Sequence, residues 1–161
     1  MLRRFSSRAL THVDASGKAN MVNVGNKSLT LRKAIATCTV HLGEGVATAI
    51  RDNTSKKGDV LTVSKIAGIQ GAKNTSLLIP LCHQINLSCV NIDFNLKGNK
   101  LHITSTAETV GTTGVEIEAY MGANISALTI IDMTKAISKK TVINNLRLIH
   151  KSGGKSGTYN A

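Results

Sequence analysis

Apolar and polar residues change rhythm several times along this chain, and each change predicts an element. Residues 31–42, LRKAIATCTVHL, interleave apolar with polar or small side chains and run into Gly43 and Gly45, which predicts a strand ending in a turn. A short helix is expected over 44–51. Residues 52–59, DNTSKKGD, gather turn formers around two lysines and predict a loop. Over 60–73 the spacing of Val60, Val63, Ile66, Ala67 and Ile69 predicts a second helix, weakened by Gly68 and Gly71. The run LLIPLCH, 77–83, surrounds the only proline and reads as a buried, irregular passage.

Strict alternation then returns in CVNIDFNL and KLHITSTA on either side of a KGN turn, which predicts a hairpin of 89–96 with 100–107. A long apolar helix to about residue 137 follows GTTGVEIE, with Thr113 and Glu116 at the spacing of a capping box. TVINNLRLIHK, 141–151, alternates again as a last strand before a glycine-rich tail. Strands separated by helices, a central hairpin and no GxGxxG after a strand predict an α+β fold, an antiparallel sheet with helices packed on one face.

The chain has 161 residues, the size of one domain. Its first ten, MLRRFSSRAL, hold three arginines, two serines and no acid, the composition of a mitochondrial transit leader. We therefore expect a basic leader over 1–10, one domain over 11–161, and a mitochondrial rather than cytoplasmic location. Charged residues make up 18%, below the roughly 25% usual for soluble domains, which suggests that other subunits cover part of the surface. The greasy stretch 117–137 carries Glu118, Asp132 and Lys135, so no membrane span is expected.

A net charge of +11 favours polyanions. Phe5, Phe94, Tyr120 and Tyr159 are the only aromatic residues, too few for the stacking platforms of single-strand and RNA binders, and the balance tips toward a small phosphorylated ligand. Cys38, Cys82 and Cys89 form no CxxC pair, so neither a disulfide framework nor a metal site is expected. Cys82 and His83 are adjacent, and neighbours on an extended chain point to opposite faces.

Candidate chemistry sits in three places. KSGGKSG, 151–157, could wrap phosphate oxygens, although Ile149 stands where a Walker A loop needs glycine. Asp132 and Lys135 share a helical face and are expected to be partly buried, where a lysine can serve as acid or base. His83 follows the constrained LIPLC passage, where an imidazole could donate or accept protons, against the plainer reading of a hydrogen-bonded core histidine. Glu118 and Asp132 lie fourteen residues apart on one helix, about 21 Å at 1.5 Å per residue. They reach one small substrate only if two subunits share the site.

MVNV, KKGDVLTVSKIAGIQGAK, LIPLCH, TGVEIEA, ALTIIDMTKA and KSGGKSG, in register from residue 10 to 158, resemble the cyclic pyranopterin monophosphate synthases, the C proteins (MoaC) of molybdenum-cofactor biosynthesis. The resemblance implies a ferredoxin-like fold and a hexamer, a trimer of dimers with active sites at the dimer interface. The implied substrate is 3′,8-cyclo-7,8-dihydro-GTP, made by a partner radical GTP cyclase and converted to a cyclic pyranopterin phosphate with release of pyrophosphate. By motif position Lys57, Asp132 and Lys135 match the catalytic residues. Leu81, Cys82, His83, Glu116, Ile117 and Glu118 match the pocket, and Arg32, Lys73, Lys151 and Lys155 the triphosphate contacts. No cofactor is implied beyond magnesium accompanying the triphosphate. Asn20, Asn23, Thr112 and Ile117 depart from residues frequent in bacterial relatives, where histidine, aspartate, lysine and methionine are common. A non-enzymatic polyanion or RNA-binding module is the alternative.

Overall fold

The computed structural model describes residues 16–161; the leader of 1–10 lies outside them. The order of elements is β1 (Thr30–His41), α1 (Glu44–Arg51), α2 (Val60–Lys73), α3 (Thr75–Leu78), β2 (Cys89–Lys97), β3 (Lys100–Gly111), α4 (Glu116–Thr134), β4 (Val142–Ser152) and β5 (Tyr159–Asn160). They form one antiparallel sheet in the order β2-β3-β1-β4-β5 with helices packed against it, the predicted α+β architecture. Setting the two-residue β5 aside, β4-β1-β3-β2 is the ferredoxin-like order.

Alternation along the strands selects the packed face. In β1 the inward residues Ala34, Ala36, Cys38 and Val40 are fully buried, matched in β3 by Leu101, Ile103, Ser105 and Ala107. The opposite face is polar: Lys33 pairs with Glu108 at 2.8 Å, and a half-buried row of Thr37, Thr104 and Thr106 tolerates water. Under α1 and α2 the core is large and aliphatic, built from Val40, Leu42, Val46, Ile92, Leu101, Ile103 and Ile130. Under the first half of α4 it thins to Ala34, Ala36, Ala107, Val115 and Ala119, so the helix lies close to the sheet there.

Close approach explains the glycines that interrupt the α2 pattern. A methyl group at Gly68 would overlap the Ser126 hydroxyl and come within 2.7 Å of the Gly122 carbonyl oxygen on α4; one at Gly71 would press on Ile125 at 2.6 Å. On the other side of α4, Gly122 leaves no room for a methyl against Ser105 of β3. The Ser126 hydroxyl donates to the Ser64 carbonyl oxygen at 3.0 Å across the helix pair.

Three expectations are corrected. The capping box does not form: Val115 is the N-cap and makes no side-chain bond, and α4 begins at Glu116 itself, whose carboxylate folds over Gly114 toward a cavity. The helix ends at Thr134 rather than residue 137, because the Ile137 and Ser138 amides both turn back to the Thr134 carbonyl oxygen. The passage 77–83 opens on one short helical turn, α3, and its first half is not buried on this chain, Leu77 being 80% exposed. Conversely, Asp59 caps α2 by accepting from the Thr62 amide at 3.0 Å, a bond no pattern had pointed to.

Gly68→Ala should lose about 1–3 kcal/mol of stability despite alanine's better helix propensity, because α2 must move off the α4 backbone. Urea unfolding measures it; an unchanged or raised midpoint would contradict the close packing.

Candidate functional site

Two groups of polar residues stand at opposite ends of α4. At its C-terminal end the loop 52–59 folds on itself, with the Gly58 amide donating to the Ser55 carbonyl oxygen at 3.0 Å, and presents Lys57 to the helix. The Lys57 ammonium donates to Asp132 Oδ2 at 3.0 Å and to the Asp132 carbonyl oxygen at 3.1 Å. Lys135, which caps the helix, donates to Asp132 Oδ1 at 2.6 Å. One carboxylate thus holds two ammonium groups apart and in place. The hydrogen bonds from Lys135 and Lys57 keep its pKa below the ordinary aspartate value. The expected partial burial of this pair is not found: Asp132 and Lys135 are 57% and 60% exposed, because both stand on the solvent side of a last turn whose other side, Met133 and Thr134, stays buried. On this chain the three residues line none of the cavities described below.

At the N-terminal end of α4, Leu81, Cys82, His83, Ile85, Gly114, Glu116, Ile117 and Glu118 line a cavity of about 170 Å³. Cys82 and His83 both reach it, against the expectation for an extended chain, since residues 79–88 follow an irregular path. His83 Nε2 lies 2.7 Å from the Val22 carbonyl oxygen. A carbonyl only accepts, so Nε2 carries the hydrogen and Nδ1 is left to exchange a proton. Glu118 is 4% exposed, and burial, with a smaller contribution from the charge of Glu116, pushes its carboxyl up to about 7. Burial, then the Glu118 charge, also raises the Cys82 thiol, which argues against a nucleophilic thiolate.

Thr113, Gly114 and Glu116 are shared with a wider basin of about 840 Å³ that also takes in Lys27, Arg32, Thr112, Lys151, Lys155 and Ser156. Arg32 is aimed by its own donations to the Gly111 and Thr112 carbonyl oxygens at 3.4 and 3.3 Å. The positive φ values of Gly153 and Gly154 bring the tail over Arg32, where a side chain at position 154 would collide with the guanidinium. Four cations face one carboxylate, a lining suited to a polyphosphate and not to a bare metal ion. Among the described residues no three His, Cys, Asp or Glu side chains gather to hold a metal.

Of the residues singled out from the sequence, the structure therefore joins Arg32, Lys151 and Lys155 through Glu116 to Leu81, Cys82, His83, Ile117 and Glu118. Lys57, Asp132 and Lys135 form a separate cluster. Lys73 ends α2, exposed and outside both cavities. Lys27 was missed, as a lone lysine in a turn carries no spacing signal. Thr112, one of the positions at which the sequence resemblance departs, lines the basin.

The MoaC family model matches residues 21–154. The chain belongs to the MoaC family. Similar MoaC proteins include a cyclic pyranopterin monophosphate synthase of Peptoclostridium acidaminophilum, 47% identical over 149 residues that cover 92% of this chain and 95% of that one. A synthase of the same name from Novosphingobium aromaticivorans is 48% identical over 152 residues, covering 94% and 97%. Molybdenum cofactor biosynthesis protein moc-5 of Caenorhabditis elegans is 51% identical over 152 residues, which cover 93% of this chain but only 25% of that longer one.

Glu118 sets the sign of one pH effect. Between its ordinary value of 4.5 and about 7 the folded chain keeps a proton that the unfolded chain has released, so this residue's contribution to stability falls as pH rises through that window. Glu118→Gln should remove that fall. Urea midpoints at about pH 5 and pH 8 check it; equal pH slopes for wild type and variant would show that Glu118 titrates normally.

Proposed function

We propose that this chain is a cyclic pyranopterin monophosphate synthase of molybdenum-cofactor biosynthesis, taking 3′,8-cyclo-7,8-dihydro-GTP to the cyclic pterin phosphate and diphosphate. The observation that carries this is the continuity of a four-cation basin with a small cavity holding a near-neutral carboxyl and an imidazole. The basin takes the triphosphate, and the cavity takes the ring system.

The overall change needs ring opening and reclosure, which are proton transfers, and one phosphoryl transfer. In the latter a sugar hydroxyl oxygen bonds to the α-phosphorus, the bond to the β-phosphate bridging oxygen breaks, and diphosphate leaves with the electron pair. The hydroxyl proton goes to a base. Arg32, Lys151 and Lys155 offset the charge that builds on the leaving group. Glu118, with a pKa close to neutrality, and His83 through Nδ1 suit proton transfer in either direction.

Lys57, Asp132 and Lys135 complete the site from a second subunit. Fourteen residues of α4 separate Asp132 from Glu118, about 21 Å, too far for one small substrate. Along its exposed side α4 carries a largely apolar stripe, with Ile117 and Leu128 both open to water on the single chain. A two-fold dimer that covers this stripe would bring the cluster of one subunit to the cavity of the other, and three such dimers would make the hexamer. The radical GTP cyclase would supply the substrate, and the acid-free leader supports delivery to mitochondria. The location is checked by where a fluorescent fusion of residues 1–30 accumulates.

An assay that generates the cyclised triphosphate in place and follows diphosphate and cyclic pterin phosphate should give product with wild type. Lys57→Ala and Lys135→Ala should each be slower by ~10²-fold or more. No product from folded wild type would return the reading to a polyanion-binding module, detectable by salt-sensitive retention on RNA.

Because Lys57 and Lys135 sit on one cluster, variants of these two should not rescue each other. Unfolding and reassembling Lys135→Ala together with Glu118→Gln in equal amounts should instead recover about a quarter of wild-type activity, the share of sites left intact by random pairing. No recovery in verified mixed oligomers would place the whole site on one chain.

A further inference from the structure

A third cavity, of about 870 Å³, opens between α4 and the β4–β5 hairpin, and neither the triphosphate nor the ring system occupies it in the arrangement above. We propose that this groove is an exit subsite for inorganic diphosphate, the leaving group of the proposed reaction; the inference rests on that reading.

Three observations support it. The groove shares Glu116, Lys151 and Ser156 with the basin, so these three residues form the wall between the two. The Lys151 ammonium donates to the Ser156 hydroxyl across the hairpin and stands on the boundary, where it can hold a phosphate on either side.

The groove's polar lining is rich in donors. Arg147 and Lys151 supply charge, and Thr158 and Ser156 supply hydroxyls. Glu116 is the one carboxylate side chain and lies at the shared wall, so an anion is favoured toward Arg147 and disfavoured from sliding back.

Tyr120, one helical turn beyond Glu116 on the same face of α4, is fixed in place with a hydrogen to spare. Its oxygen accepts from the Leu148 amide at 2.8 Å, and among the described residues nothing accepts its own proton. A diphosphate oxygen is a suitable acceptor. The path that follows is short. Diphosphate released in the basin passes along Lys151, leaves to the hairpin side, and clears the site while the cyclic product is still held.

Inorganic pyrophosphate is the probe. With wild type, added pyrophosphate should inhibit with a noncompetitive component against substrate, since it has a place to bind that the substrate leaves open. Arg147→Gln, at an exposed position that does not threaten folding, should raise the inhibition constant about fivefold or more while leaving the substrate KM within about twofold. Tyr120→Phe should act in the same direction. Titration calorimetry of pyrophosphate into the unreacted protein reads the same affinities without turnover. Strictly competitive inhibition, or affinities unchanged in both variants, would overturn the proposal. A wild-type protein that turns over no substrate but whose pyrophosphate affinity still depends on Arg147 would overturn the synthase reading and leave the groove's preference for diphosphate standing.

Discussion

Helix α4 reaches both ends of the site because it lies against its neighbours at backbone distance. Gly122 sits on Ser105 of the sheet, while Gly68 and Gly71 of α2 sit on Ser126 and Ile125 from the other side. Packing at this distance leaves little freedom to slide or roll, since movement drives each glycine into the side chain or carbonyl it rests on. The helix can therefore act as a ruler. Its first turn delivers Glu116 and Glu118 to the cavities beside the sheet, and its last turn holds Asp132 clear of the core, where the loop before α2 can meet it. Both partners of the ion-pair cluster are tied to the same helix pair, because Lys57 comes from the loop that Asp59 closes onto α2.

Charge is distributed along this ruler in a way that separates binding from proton transfer. Cations from the turn before β1, from β1 itself and from the end of β4 converge on the basin, although they are far apart in sequence. Among the described residues the one acid with a strongly raised pKa, Glu118, is buried outside the basin those cations line. Moved into the basin, its charged form would be stabilised and its pKa drawn down, and it would lose the ability to give a proton near neutral pH. Glu116 mediates between the two settings, lining all three of the cavities described above.

The exposed apolar residues gain meaning from the same geometry. Leu77, Leu78, Val63, Ile66 and Leu128 would be costly as permanent surface, and they agree with the low share of charged residues in suggesting coverage by further subunits. The lysine–aspartate cluster is exposed for a related reason. In the shared site proposed above, a pair of ammonium groups that reaches a neighbouring subunit's cavity has to stand outside its own chain's core.

Local pattern was enough for the long strands and helices and for the α+β architecture. Alternation in CVNIDFNL and KLHITSTA marked the hairpin, and helical spacing marked α2 with its limits at Val60 and Lys73, because these signals depend only on which side chains must leave water. Motif resemblance named Lys57, His83, Glu118, Asp132 and Lys135. What it could not convey was their grouping into two clusters, the raised pKa of Glu118, the exposure of Asp132, or the entry of Lys27 and Tyr120 into the cavities. Each of these depends on distances between segments remote in sequence, and on how much water the fold excludes around a charge. The capping box failed for the same reason: Thr113 and Glu116 have the right spacing, but the N-cap falls at Val115 and the Glu116 carboxylate lies over Gly114 beside the cavity. The chain by itself determined which segments become strands and helices and which chemistry they carry; only tertiary packing decided which of those groups share a cavity, because contact and desolvation are properties of the folded chain alone.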